Sequence, residues 1–85
     1  MQVSILYFAS LREALQSTGE SLQLPEQVRT VGDLRRLLVA RGEPFAQALA
    51  EGKAVRVSVE QLMATAETPL TDGAEVAFFP PVTGG

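Results

Sequence analysis

The side chains that usually carry covalent or acid–base chemistry are missing from this sequence. It has no cysteine and no histidine. No thiolate is therefore available as a nucleophile, a persulfide carrier or a metal ligand, and the usual general base near neutral pH is absent too. What remains is the end of the chain, Pro80, Pro81, Val82, Thr83, Gly84 and Gly85, which has no charge except the terminal carboxylate. The prolines favour an extended course, and six such residues reach about 20 Å, enough to enter another protein's active site. Glycine at the last two positions leaves no side chain beside the carboxylate, so a narrow channel can admit it. An α-carboxyl has a reference pKa of about 3.3 to 3.7, so at neutral pH it is an anion that resists nucleophilic attack. It must be activated first, for example as an acyl-adenylate made from ATP by another enzyme. A sulfur donor can then displace the adenylate and leave a thiocarboxylate. Taken by itself, a Gly-Gly end favours the reading of an ordinary frayed terminus.

Three carboxylates invite a catalytic reading, Glu13, Asp33 and Asp72. Each has a plainer explanation: the first turn of a helix for Glu13 and Asp33, and an Asp-Gly turn for Asp72. The net charge of −3 lacks the basic footprint of a nucleic-acid binder. No basic residue follows Arg56, while Glu60, Glu67, Asp72 and Glu75 all do. This acidic C-terminal third is expected to suit a partner with basic contacts. No apolar run is long enough to cross a bilayer, and MQVSILYFAS alternates in polarity without a leading basic residue, as a strand does and a signal peptide does not. The expected setting is soluble and cytoplasmic.

The elements that must position the tail follow from periodicity. Val3, Ile5 and Tyr7 alternate with Gln2, Ser4 and Leu6, a strand with one buried face. Ser10 with Glu13 predicts the cap of a short helix that Gly19 stops, and Ser21 to Leu24 a second strand. The clearest helix starts at Thr30, with Asp33 in its first turn. Val31, Leu34, Leu37 and Leu38 form its apolar stripe, and Gly42 is its expected end. Pro44 opens a short helical piece through Phe45, Ala48 and Leu49. Val55, Val57 and Val59 then alternate as a strand, Leu62 and Met63 suit a short edge strand, and Asp72-Gly73 turns the chain into a last strand, Val76 to Phe79. Pro80 and Pro81 end ladder pairing. One of Phe78 and Phe79 must face away from the core if that strand is regular, and its ring with Pro80, Pro81 and Val82 makes an apolar patch for a partner.

This order is an α+β plan, one helix across a mixed sheet, and it matches a ubiquitin-like β-grasp over residues 1–79 followed by an extended tail over 80–85. The segment LTDGAEVAFFPPVTGG, Leu70 to Gly85, resembles the C-terminal signature of the molybdopterin synthase small subunit family, and FFPPVTGG is its most specific part. VSILYFASLREAL, TVGDLRRLL and the valine-rich strand extend the likeness over nearly the whole chain.

The resemblance implies a sulfur carrier of molybdenum cofactor biosynthesis whose terminal glycine, here Gly85, cycles among carboxylate, adenylate and thiocarboxylate. It implies Gly84 as the flexible residue that threads, Pro80, Pro81, Val82 and Thr83 along the path, and Phe78 or Phe79 at the apolar contact. The implied partners are the large catalytic subunit of a heterotetrameric synthase, an ATP-using adenylyltransferase and a sulfur donor. The chain itself would hold no cofactor or metal and would not be catalytic alone. A carrier for thiamin synthesis or tRNA thiolation, a modifier conjugated to lysines, and a plain interaction module are the alternatives.

Overall fold

The structure, a computed structural model, describes residues 1–81. Its elements are β1 (Gln2–Tyr7), α1 (Ala9–Leu15), β2 (Gly19–Gln23), α2 (Val31–Val39), α3 (Phe45–Leu49), β3 (Arg56–Val59), β4 (Leu62–Met63) and β5 (Glu75–Phe79). They form one five-stranded sheet in the order β2-β1-β5-β3-β4. The central pair, β1 and β5, is parallel, and the other pairs are antiparallel. This is the expected mixed sheet of a β-grasp.

The alternating residues supply the core. Val3, Ile5 and Tyr7 of β1, Val76 and Phe78 of β5 and Val57 of β3 point to one face, where Val31, Leu34 and Leu38 of α2 and Leu49 of α3 cover them. Leu34, Leu38, Leu49, Val76 and Phe78 are fully buried. Burying such side chains contributes roughly 1.5 to 3 kcal/mol each before entropy is charged against it.

The start of α2 follows the expected cap. The Asp33 amide donates to Thr30 Oγ1 at 3.2 Å, and the Thr30 amide donates to Asp33 Oδ2 at 3.2 Å. The Arg29 amide adds a bond to the same oxygen at 3.0 Å and is the largest influence holding the Asp33 carboxyl below its ordinary pKa. Two further α2 amides are satisfied by a strap over the helix start: Val31 donates to the Thr68 carbonyl at 3.0 Å and Gly32 to the Ala66 carbonyl at 2.9 Å. The helix itself ends at Val39, and Gly42 follows in a turn at φ 89°.

The bounds of α1 differ from expectation. Phe8, not Ser10, is the N-cap, without a side-chain bond, and α1 ends at Leu15 with Gln16 as its C-cap in the left-handed region at φ 53°, not at Gly19. The stop is a backbone conformation that glutamine does not advertise. Glu13 consequently lies beyond the first turn, which contains no acidic residue. Gly19 instead opens β2 against Leu6, where a Cβ would collide with the Ile5 carbonyl oxygen. Close approach of two strands explains that glycine.

Candidate functional site

The tail is rooted at the end of a central strand. Because β1 and β5 run parallel with Tyr7 opposite Phe78, both strands finish at the same end of the sheet. Pro80 and Pro81 continue from there, each half-buried. Val82, Thr83, Gly84 and Gly85 lie outside the described residues, so the carrier position and most of the proposed path do too.

The two phenylalanines divide as a regular strand requires. Phe78 is fully buried, with its ring stacked on Tyr7 at 6.2 Å between centroids, so it belongs to the core and offers a partner no surface. Phe79 is half-buried on the opposite face. The sequence-derived pair is thereby reduced to Phe79.

That outer face can be followed across the sheet by register. Leu6 lies beside Ala77, Ala77 beside Ser58, and Ser58 beside Met63, while Phe79 lies beside Arg56 in the next row. Met63 is 59% exposed. Phe8 stands nearby with 44% exposure, and its amide donates to the Phe78 carbonyl at 3.1 Å. Sequence periodicity assigned Phe8 no role. A large aromatic directly after a buried Tyr, where polarity alternation predicts a polar residue, was the available signal.

Beneath the root lies a polar clamp. The buried Tyr7 hydroxyl donates to Glu20 Oε2 at 2.9 Å, and Arg41 donates to both oxygens of Glu20 at 2.9 Å through Nη1 and Nη2. Arg41 also stands 5.1 Å over the Phe45 ring, which packs at 6.2 Å from Tyr7. Burial, then the bond to Glu20, raises the Tyr7 pKa well above its ordinary value. Arg41 is the main cause of the lowered pKa of Glu20. These groups fix β1, β2 and the chain after α2 to one another, so they hold the base of the tail rather than act on a substrate.

Two acidic residues of the C-terminal third, Glu60 and Asp72, lie away from Pro80. Glu60 Oε1 accepts from the Glu75 amide at 2.9 Å, and Asp72 Oδ1 accepts from the Gln2 amide at 2.7 Å. Glu75 and Gln2 begin β5 and β1, so these carboxylates sit at the sheet end opposite to the tail. Among the described residues, no group of acidic side chains could hold a metal ion. No described helix is long and apolar enough to cross a membrane.

The ThiS family model matches residues 5–85, through the whole tail. The chain belongs to the ThiS family. It is 40% identical over 83 residues to the molybdopterin synthase sulfur carrier subunit of Escherichia coli, with 98% of this chain and 99% of that protein covered. The sulfur carrier subunit of Haemophilus influenzae is 36% identical, again covering 98% of this chain and 99% of its own length. Among solved structures, small archaeal modifier protein 1 of Haloferax volcanii superposes with a TM-score of 0.73 at 26% identity, covering 95% of this chain and 98% of that one. For a ThiS-family chain the geometry has a simple sense. The body is a base from which β5, with Val76 and Phe78 in the core, leads to Pro80 and Pro81.

Proposed function

We propose that this chain is the sulfur-carrying small subunit of a molybdopterin synthase. The observation that carries the proposal is a match to sulfur carrier subunits over nearly the full length, together with a family match that includes the Gly84-Gly85 end. A partner adenylyltransferase joins the Gly85 carboxylate to AMP from ATP and releases pyrophosphate. The terminal sulfur of a donor protein's persulfide then displaces AMP to give an acyl disulfide, and a second thiol of the donor cleaves its S–S bond, releasing the thiocarboxylate and leaving a disulfide on the donor. The larger subunit takes in the tail, with Phe79, Pro80 and Pro81 at its mouth, Val82 and Thr83 along the path, and Gly84 next to the reacting group. The thiocarboxylate sulfur forms a C–S bond with a carbon of the pyranopterin precursor as an oxygen substituent of that carbon leaves, water cleaves the resulting thioester, the sulfur stays on the pterin, and Gly85 returns as a carboxylate. Acid, base and substrate-binding groups come from the larger subunit, which fits a small chain without histidine or cysteine.

Similarity to an archaeal modifier protein favours one second reading, in which the same adenylate is captured by a lysine amine as an amide. Intact mass separates the two. After incubation with the adenylyltransferase, ATP and a sulfur donor, the full chain should gain the mass of sulfur exchanged for oxygen, and a chain lacking Gly84 and Gly85 should not. Adducts on other proteins in place of that exchange would favour the modifier. No change, with an adenylyltransferase active on another carrier, would remove the thiocarboxylate mechanism.

A further inference from the structure

The outer sheet face is apolar around Leu6, Ala77, Met63 and Phe79, but it contains one exposed cation. Arg56 pairs across from Phe79 and so projects from that face. Among the described residues, Arg36 and Arg41 have carboxylate partners, and none lies within ion-pair distance of Arg56. Beside Arg56 the sheet edge opens. Leu62 and Met63 of β4 pair with β3, the Ala64 amide adds a bond to the Val57 carbonyl at 2.9 Å, and the chain then leaves to strap the start of α2. The resulting recess has a volume of about 300 Å³ and is lined by Val31, Arg35, Val55, Arg56, Met63 and Thr65 among others.

Arg35 and Arg56 are among the lining residues, and no acidic residue is. Arg35 is already committed: its Nε donates to the Leu49 carbonyl at 2.6 Å, and its Nη2 donates to the carbonyls of Ala50 at 2.6 Å and Lys53 at 2.9 Å. It contributes a fixed positive field. Glu51, on the same side, is paired with Arg36 at 3.4 Å. Arg56 therefore has the uncommitted donors. A partner that closes over Phe79 and Met63 strips water from this guanidinium, and apolar contact alone does not compensate that loss. A carboxylate does, through two parallel N–H bonds. The walls formed by Val31, Val55 and Met63 suit an aliphatic stem ending in one negative charge.

We infer that the recess receives an aspartate or glutamate side chain of the larger subunit, held by Arg56 as the sheet face docks. The inference rests on the small-subunit reading above and adds a specificity determinant to it: a partner lacking that carboxylate is rejected.

The test is calorimetric titration of the full chain into the larger subunit encoded with it, at low and at high salt, for wild type, Arg56→Gln and Arg56→Glu, with far-UV circular dichroism as a folding control. Wild-type affinity should fall with salt. Arg56→Gln should bind about tenfold more weakly with a shallower salt dependence, and Arg56→Glu about a hundredfold or more. Wild-type binding with both variants within twofold of it would overturn the recess assignment and leave the small-subunit reading standing. No binding by the wild-type chain would overturn both. Concentration-dependent dimerisation of the chain alone, abolished in Arg56→Glu, would assign the recess to a second copy and overturn the inference.

Discussion

The Gly32 amide donates to the Ala66 carbonyl at 2.9 Å, and a Cβ built on Gly32 would stand 3.1 Å from that same oxygen. In an ordinary helix, replacing glycine with alanine stabilises by roughly 0.5 to 1 kcal/mol. Here the oxygen cannot retreat without lengthening the bond that satisfies the helix start. Gly32→Ala is therefore expected to lower stability by about 0.5 to 1 kcal/mol, and Gly32→Val by about 2 to 3 kcal/mol. Urea unfolding decides it: a raised midpoint for Gly32→Ala would show that the strap yields freely.

The clamp of Tyr7, Glu20 and Arg41 gives stability two pH limits. The lowered pKa of Glu20 means that its contribution is present above the unfolded value of about 4.3 and lost as pH falls through the folded value. The raised pKa of Tyr7 acts at the other side: its contribution is present below about pH 10 and lost as pH rises toward the folded value. Glu20→Gln should flatten the acid limb of stability against pH, and Tyr7→Phe the alkaline limb. Glu20→Ala also strands a buried hydroxyl, at a cost of about 1 to 3 kcal/mol. Unchanged limbs in thermal melts across the pH range would contradict the assignment.

Phe78 and Phe79 should separate folding from docking. Phe78→Ala empties a fully buried site and is expected to destabilise by about 3 to 5 kcal/mol. Phe79→Ala removes a half-buried ring, at about 1 kcal/mol in stability, yet should weaken binding to the larger subunit more than tenfold. A Phe79→Ala chain that binds as wild type would exclude the outer face from the contact.

The β3–β4 turn places Glu60 at φ 51° and Gln61 at φ 68°, both left-handed. Two-residue hairpin loops with this geometry favour glycine at the second position. Glu60 is retained by its bond to the Glu75 amide. Gln61→Gly is accordingly expected to stabilise by roughly 0.5 kcal/mol, read as a higher melting temperature. A lower melting temperature would mean that the Gln61 side chain contributes more than the strain costs.

What could be read from the sequence was local. Thr30 and Asp33 announce a helix start because the cap is complete within four residues. Val55, Val57 and Val59, and the Leu62–Met63 edge strand, are marked by alternation and by a turn between them. The end of α1 was hidden because Gln16 adopts a conformation expected of glycine. Register was hidden as well. Only the pairing of distant strands shows that Phe79 faces out beside Arg56, and that Glu60 and Asp72 lie far from the tail. Arg35 reads in sequence as the polar side of α2, whereas in space it ties down the end of α3. For the tail, residue types alone left an ordinary frayed end as the simpler reading, and the resemblance of FFPPVTGG to a known signature is what pointed to carrier chemistry.

One consequence follows from β5 being hydrogen-bonded on both sides, to β1 and to β3. A pull on the C-terminal end runs along the strand axis and loads both ladders in shear, so their rungs must fail together rather than unzip one at a time. Withdrawal of β5 would also drag Val76 and Phe78 out of the core. A machine that grips this end to unravel the protein meets its most resistant direction. For the carrier cycle proposed above, the body would withstand tension from successive partners and stay folded between them.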